Sequence, residues 1–245
     1  FYLGRLAIYK PEALSPIYKK SMMAESKFFE ESLKSSFLPW QSTGVIIKKY
    51  RRYLDRLKGY FPNISISTLS QFLHDQFIFD RGRYVEEFVY EGGKISKMDG
   101  SISLKLLALR QLARTYFVKD EVFCAHQMIS PIKEDRDFKN WKNLGREFRI
   151  HRINRPHFDL GFTAVEFDLS PTRWMLWLMR QARWLRGVLP RWHKKERALN
   201  LKAREIIKKM INQGTLDEQV LDQIRRVKGY REVRYKNAES QKAFL

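Results

Sequence analysis

Cysteine is nearly absent from this chain. The 245 residues include one cysteine, Cys124. A single thiol excludes an internal disulfide and any metal or iron–sulfur cluster held by several cysteines of this chain. It is typical of a reducing compartment, so we predict the cytoplasm, with the mitochondrial matrix as the alternative.

Long apolar runs and catalytic fingerprints are also missing. The longest dense apolar run covers residues 174–179, far short of the about 20 residues that a membrane-spanning helix needs. Glycine-rich phosphate loops, Gly-x-Ser-x-Gly and His-Glu-x-x-His do not occur. Met98-Asp99-Gly100 only approaches the Gly-Asp-Gly that opens a thiamine diphosphate motif. We therefore predict no membrane span, no complete catalytic set and no cofactor bound by this chain.

Basic residues dominate the charge of the chain. Lysine and arginine total 47 against 27 aspartates and glutamates, which gives a formal net charge of +20. Such a charge favours anionic partners, whether RNA, DNA, an acidic membrane face or an acidic protein surface, without choosing among them. The hydrophobic fraction of 44% is that of a globular protein and not of a disordered one.

Apolar residues recur at helical spacing along most of the chain, which predicts a mainly α fold in a single domain, 1–245. A small antiparallel β hairpin is expected because Phe148–His151 and Phe162–Asp168 alternate as half-buried strands do, so the class is α+β. The predicted parts are an N-terminal helix with its leading segment (1–40), a helical core (41–130), the β hairpin (146–168) and C-terminal helices (170–245).

Three local features of the core are predicted as well. Glu91-Gly92-Gly93-Lys94 is typical of a turn. Residues 103–129 carry a continuous apolar stripe, which predicts one long central helix. The highly charged residues 133–145 are expected to form an exposed loop.

The first candidate site for an anion or nucleic acid lies on the helix predicted for residues 42–61. Lys48, Arg52 and Arg56 share one stripe of this helix, with Tyr50 and Tyr53 interleaved. Cations neutralise phosphates and aromatic rings stack on bases, so this pattern is suited to RNA. The alternative is a solvated amphipathic face over a core.

A second basic region contains Arg183 and Arg186 among several tryptophans, and the same RNA argument applies to it. Tryptophans at helical spacing are more often core than binding platform. We therefore expect Trp174, Trp177 and Leu178 to be buried.

Other reactive side chains form weak patterns. Cys124 and His126 are two positions apart on a predicted helix and point in different directions, so they do not form a thiolate pair. His151, His157 and Asp159 match no zinc spacing. We predict no catalytic residue and no metal ligand.

Five groups of short segments follow one another in a familiar order. They are Phe1–Ala7 with Lys10-Pro11, Lys119-Asp120-Glu121 within 112–126, the segment 148–156, Trp174-Met175-Leu176 with Leu185-Arg186-Gly187, and Lys228-Gly229-Tyr230 with Val233-Arg234. Together they resemble the C-terminal region of indolepyruvate:ferredoxin oxidoreductase-like proteins, a group of 2-oxoacid:ferredoxin oxidoreductases. The resemblance covers nearly the whole chain.

The resemblance implies a parent enzyme that oxidatively decarboxylates an aryl 2-oxoacid to its acyl-CoA. Thiamine diphosphate and iron–sulfur clusters would lie on other domains or subunits, which would be this chain's partners in an oligomer. The chain itself would be a non-catalytic accessory or docking domain with an apolar surface that matches a partner. The alternative is a basic RNA-associated protein, such as an organellar ribosomal or RNA-maturation component, with a contiguous cationic face and exposed aromatics.

Overall fold

The described part of the chain is built almost entirely from α-helices. The computed structural model describes residues 26–38, 43–141, 157–159, 164–166, 170–189, 192–228 and 232–244. Its helices are α1 (Ser26–Ser36), α2 (Thr43–Tyr60), α3 (Ile66–Asp80), α4 (Val85–Lys97), α5 (Ile102–Arg114), α6 (Glu121–Met128), α7 (Pro131–Trp141), α8 (Arg173–Gln181), α9 (Leu185–Val188), α10 (Lys194–Gln213), α11 (Glu218–Arg226) and α12 (Glu232–Glu239), with 3₁₀ turns at Ala182–Trp184 and Lys242–Phe244. None of the helices in these ranges is long and apolar enough to cross a membrane.

The predicted α+β class is wrong, because the described core is built from helices and the turns that join them. The described strands, β1 (His157–Asp159) and β2 (Ala164–Glu166), are three residues each and pair antiparallel with Phe158 opposite Val165. This short pair is not the predicted hairpin: β1 lies between the two expected strands, 148–151 and 162–168, and the first of these lies outside the described residues. A two-stranded pair of this length cannot hold a hydrophobic layer, so the class is all-α.

The predicted turn at the two central glycines is also wrong. Helix α4 runs without interruption through Gly92 and Gly93. A Cβ at Gly93 would lie 2.9 Å from the Tyr60 ring, and one at Gly92 would lie 3.2 Å from Leu109. The glycines thus serve close packing of α4 against α2 and α5, and they do not reverse the chain.

The predicted long helix over residues 103–129 is two helices, α5 and α6. The Thr115 hydroxyl donates to the Leu112 carbonyl at 2.7 Å, where α5 ends. Asp120 then caps α6, its carboxylate accepting the backbone N–H of Phe123 at 2.8 Å. A side chain that satisfies an orphan N–H competes with continuation of the preceding helix.

The charged segment predicted as a loop is helical over its described part. Helix α7 covers Pro131–Trp141. Lys133 and Asp137 form an ion pair one turn apart along it, a spacing that stabilises a helix. Alternating charge is therefore compatible with a helix that the sequence pattern alone did not indicate.

The core lies where α2, α3, α4 and α5 meet. Tyr50, Leu57, Leu73, Phe88 and Leu109 are among its fully buried side chains. Helix α1 packs on α3 and α7, while α10 and α11 pack on α5. A second, smaller cluster joins α8 to α6.

Candidate functional site

The basic stripe of α2, formed by Lys48, Arg52 and Arg56, faces solvent as the sequence predicts. The guanidinium carbons of Arg52 and Arg56 lie 4.8 and 5.6 Å from the centroid of the Tyr53 ring. Tyr50 and Tyr53 are both 1% exposed, so neither ring can stack on a base. The cationic part of the predicted site is therefore on the surface, and its aromatic part belongs to the core.

The second predicted anion contact, Arg186, is engaged inside the molecule. Its Nε and Nη2 atoms donate to the two carboxylate oxygens of Asp120 at 2.6 and 2.9 Å. It also donates to the Phe79 carbonyl, and its guanidinium carbon lies 3.9 Å from the Phe79 ring centroid. This bidentate geometry is the strong form of an arginine–carboxylate pair.

Arg183 is likewise turned toward the protein. It lies against the Ser36 carbonyl at 3.4 Å and contacts the ring nitrogen of His126, with its guanidinium 4.6 Å from the Phe37 ring. Burial, and then the charge of Arg186, lowers the pKa of Arg183 to about 9. Burial and the Arg183 charge hold the pKa of His126 well below its usual value. Arg183 therefore makes contacts that stabilise the fold, and it does not lie on an open binding face.

A buried ionic network surrounds the start of α6. His193 lies between two carboxylates, 2.9 Å from Glu121 and 3.5 Å from Glu196. Burial alone would lower the pKa of His193, but its hydrogen bonds to the two glutamates raise it to about 9. Burial alone would raise the pKa of Glu196, but hydrogen bonds from His193 and Tyr235 lower it to about 2. His193 is therefore an imidazolium at neutral pH, paired on both sides.

Sequence reasoning missed a polar cluster formed by Ser32, His74 and Asp75. His74 Nε2 lies 3.0 Å from the Ser32 hydroxyl, and its Nδ1 lies 3.2 Å from the Asp75 carboxylate. The order of groups resembles a nucleophile, base and orienting acid. No short motif reveals it, because Ser32 and His74 are 42 positions apart and sit on different helices.

The Ser32 cluster is not arranged for catalysis. Ser32 is 1% exposed, so its side chain offers almost no surface for a substrate to contact. It lies inside α1, where backbone N–H groups bond within the helix and are not available as an oxyanion hole. Its hydroxyl also lies 3.4 Å from that of Ser130. We interpret the cluster as a buried polar contact that joins α1 to α3.

Cys124 is not a nucleophile in this environment. Its Sγ lies 3.8 Å from the Lys119 carbonyl. Burial first, and then the charges of Asp120 and Glu121, raises the pKa of the Cys124 thiol to about 12. The thiolate that attacks a substrate is therefore not populated near neutral pH.

The weak metal pattern of the sequence is only partly described. His151 lies outside the described residues, and His157 and Asp159 are the end residues of β1. Within the described ranges, no group of three or more histidine, cysteine, aspartate or glutamate side chains is placed to hold a metal ion.

The tryptophans predicted to be buried lie on the surface. Trp174 is 63% exposed, and Trp177 and Leu178 are also exposed. Helix α8 instead buries Leu176 against Ala125 and Ile129. The prediction is wrong because an apolar stripe shows that a helix is amphipathic, but not which face its neighbours cover.

The exposed apolar residues of α8 continue into the next two turns. We call Trp174, Trp177, Leu178, Trp184 and Val188 the tryptophan surface; all five are exposed. Arg180, the buried cation of α8, donates to the Ser35 carbonyl at 2.7 Å and lies 5.9 Å from the Trp177 ring centroid. The tryptophan surface is therefore held by a helix that is firmly anchored on its other side.

Three of the segments that carry the family resemblance meet in the ionic network. The Lys119–Glu121 segment supplies Asp120 and Glu121, and the Leu185–Gly187 segment supplies Arg186. Arg234, from the last segment, donates to Asn200, which in turn donates to the Phe117 carbonyl at 2.7 Å. No known protein family, curated protein or solved structure matches the chain.

Proposed function

We propose that this chain is a non-catalytic accessory domain that docks on the catalytic domains of an indolepyruvate-like 2-oxoacid:ferredoxin oxidoreductase. The observation that carries the docking role is the tryptophan surface. Contiguous exposed apolar side chains mark interaction sites more often than ordinary surface. Tryptophan is enriched among the few residues that carry most of the binding energy of a protein interface.

The ionic network supports the link to this enzyme family. Asp120 and Arg186, from two separate resemblance segments, form a largely buried ion pair, and Arg234, from a third segment, donates to Asn200 and interacts with the charge of Glu196. Their role in the proposal is to fix α9 against the start of α6, and α12 against α10. A scaffold of this kind presents a rigid face to a partner and needs no catalytic residue of its own.

The partner surface that fits is apolar at its centre and acidic around it. The chain carries a net charge of +20, which attracts an acidic protein surface. The arginine nearest the start of α8, Arg173, is already paired with Glu134. The long-range charge of the whole chain, and not that single arginine, therefore steers the encounter in our proposal.

Binding to the thiamine diphosphate-dependent catalytic polypeptide tests the docking role directly. Sedimentation or calorimetry should give a defined complex with the unmodified chain. The double variant Trp174→Ala/Trp184→Ala should weaken it at least about tenfold while its Tm stays unchanged, since both rings are exposed. The matched variant Leu201→Ala removes an exposed apolar side chain from α10 and should leave the affinity unchanged.

Activity measurements test the non-catalytic part of the proposal. The isolated chain, supplied with thiamine diphosphate, coenzyme A, ferredoxin and aryl 2-oxoacids, should not turn over. Turnover by the metal-free isolated chain would rule the proposal out. So would a binding assay in which the catalytic polypeptide does not bind the chain.

The second candidate function is that of a basic RNA-associated protein, such as an organellar ribosomal or RNA-maturation component. The basic stripe of α2 favours it, because Lys48, Arg52 and Arg56 form no salt bridge with any side chain that the structure describes. The exposed rings of the tryptophan surface add the stacking groups that RNA recognition uses.

A further inference from the structure

A cavity of about 680 Å³ lies between the end of α5 and the C-terminal helices. It is separate from the tryptophan surface and from the basic stripe of α2. Its described apolar lining consists of Phe117, Val118, Ala203, Ile224, Val227, Val233 and Phe244. The volume lies within the range of about 300–1,000 Å³ that is usual for small-molecule sites.

Positive charge dominates the described lining of this cavity. Arg114, Lys119, Lys228 and Arg234 contribute cations, and Glu196 is the one carboxylate among the described lining residues. That carboxylate is already paired with the imidazolium of His193. The cavity therefore carries several cationic charges that the described part of the chain does not neutralise.

The charge of Arg114 disfavours the protonated form of Arg234, the second arginine of the cavity. Burial lowers the pKa of Arg234, and the nearby charge of Arg114 lowers it further, although Glu196 opposes both effects. Desolvation, and then the charge of Arg110 outside the cavity, lowers the pKa of Arg114. An anion placed between these guanidinium groups would relieve that repulsion.

Two of the residues that line the cavity each have a buried polar atom with no hydrogen-bond partner in the described part of the chain. Gln111 is 2% exposed, and its Nε2 donor is unpaired. The Oε1 atom of Glu196, which is 4% exposed, is an unpaired acceptor. Leaving a buried polar group without a hydrogen bond costs about 1–3 kcal/mol. A ligand with one acceptor and one hydroxyl donor would supply the missing hydrogen bonds of Gln111 and Glu196.

We propose that this cavity binds a phosphate-bearing organic anion of about nucleotide size. The phosphate lies against Arg114 and Arg234, because guanidinium forks match phosphate oxygens bidentately. The apolar part of the ligand packs on Val227, Val233 and Phe244, and a ligand hydroxyl donates to Glu196. This inference does not depend on the proposed docking role, because the cavity shares no residue with the tryptophan surface that carries that role.

Calorimetry with defined probes tests the site on the full chain. We expect adenosine mono- and triphosphate to bind saturably with one-to-one stoichiometry at about 0.15 M salt, where exposed charges are screened. Inorganic pyrophosphate should bind at least about tenfold more weakly than the triphosphate, because it lacks the apolar part and the hydroxyl. Equal affinity for the two probes would overturn the assignment of an organic ligand.

Two arginines of α5 provide a matched pair of variants. Arg114→Gln removes a cation that lines the cavity and should weaken nucleotide binding at least about tenfold, equal to about 1.4 kcal/mol. Arg110→Gln removes an exposed cation from the same helix outside the lining and should change the affinity less than about twofold. The exposed Lys228→Gln is a second test variant, expected to weaken binding without touching the core.

The outcomes separate a built site from general charge attraction. Equal losses in Arg114→Gln and Arg110→Gln, with unchanged Tm in both, would overturn the proposal. So would the lack of saturable binding of every probe at millimolar concentration. A selective loss in Arg114→Gln and Lys228→Gln supports it.

Discussion

Asp120 shows how one residue can hold two parts of this fold. Its carboxylate accepts the N–H of Phe123 and so starts α6. The same carboxylate receives two donors from Arg186, 66 positions along the chain. The helix cap and the long-range ion pair are therefore lost together if this side chain is removed.

We expect Asp120→Ala to lower the free energy of unfolding by about 3–5 kcal/mol, because it leaves the guanidinium of Arg186 without its partner in a largely buried setting. Urea denaturation measures this loss. The matched variant Asp222→Ala removes a carboxylate that is paired with Arg225 and Arg226 on the surface, and should have no measurable effect. Similar losses in the two variants would contradict the structure.

The charge of His193 makes stability depend on pH. The pKa of His193 is about 9 in the folded chain against 6.5 for the ordinary group. A raised pKa means that its contribution is complete below about pH 6.5 and is lost as the pH rises through 9. We expect the free energy of unfolding to fall by up to about 3 kcal/mol across this window.

Urea titrations at several pH values between 6.5 and 9 measure the effect of His193. The variant His193→Gln removes the titrating group that lies between Glu121 and Glu196, so its stability should change much less across the window. If the unmodified chain and the variant have the same slope against pH, the imidazolium between the two carboxylates is not formed.

At the scale of elements, helix packing decides where glycine belongs. Helix α4 contains Gly93 at its contact with α2, whereas Gly59 lies in α2 with open space around its missing Cβ. In an isolated helix, replacing either glycine by alanine would stabilise the helix by about 1 kcal/mol. The two positions differ only in what surrounds them.

We therefore expect opposite signs from Gly93→Ala and Gly59→Ala. A Cβ at Gly93 would lie 2.9 Å from the Tyr60 ring, so the variant should lose about 1–3 kcal/mol of stability through overpacking. Gly59→Ala should gain about 0.5–1 kcal/mol. Thermal unfolding of both variants is the measurement, and equal stabilisation would show that α4 does not pack as described.

At the scale of the whole molecule, the net charge of +20 is compatible with two kinds of partner, an acidic protein or RNA. The basic stripe of α2 is suited to phosphate, but its neighbouring rings, Tyr50 and Tyr53, are buried. A stripe of cations with no exposed ring beside it gives mainly salt-sensitive, unspecific attraction, and the exposed tryptophans lie on a different surface. This distribution favours the protein partner.

We expect RNA binding to be weak and unchanged in the triple variant Lys48→Ala/Arg52→Ala/Arg56→Ala. The measurement is the slope of log affinity against log salt for an RNA oligonucleotide. If the stripe does bind RNA, the variant should lose about three units of slope, because each phosphate contact adds roughly 0.9. Tight binding with that loss would favour the RNA-associated function.

A second triple variant controls for total charge. Lys194→Ala/Lys195→Ala/Lys209→Ala removes three exposed cations from α10 and leaves the stripe intact. An equal loss of slope in both triple variants would mean that RNA responds to net charge alone.

The sequence by itself determined the helical character of the chain and several helix ends, because these depend on local interactions. The predicted helix 42–61 corresponds to α2, Thr43–Tyr60. Gly214 ends α10 with a left-handed backbone at φ 73°, a conformation that glycine adopts without strain. The four-residue spacing of the basic stripe, which lies only partly opposite the apolar residues of α2, also predicted its solvent exposure.

Only the tertiary structure decided which faces are covered and which distant residues meet. The contact with Tyr60 decides that Gly93 lies in a packed helix and not in a turn of the chain. Whether Trp174 is buried depends on which face of α8 lies on α6. Arg186 was predicted as an anion contact, yet its partner Asp120 is supplied by another helix. Periodicity reports that a helix has two faces, but burial is a property of the neighbours, and those are brought together only by the long-range packing of the chain.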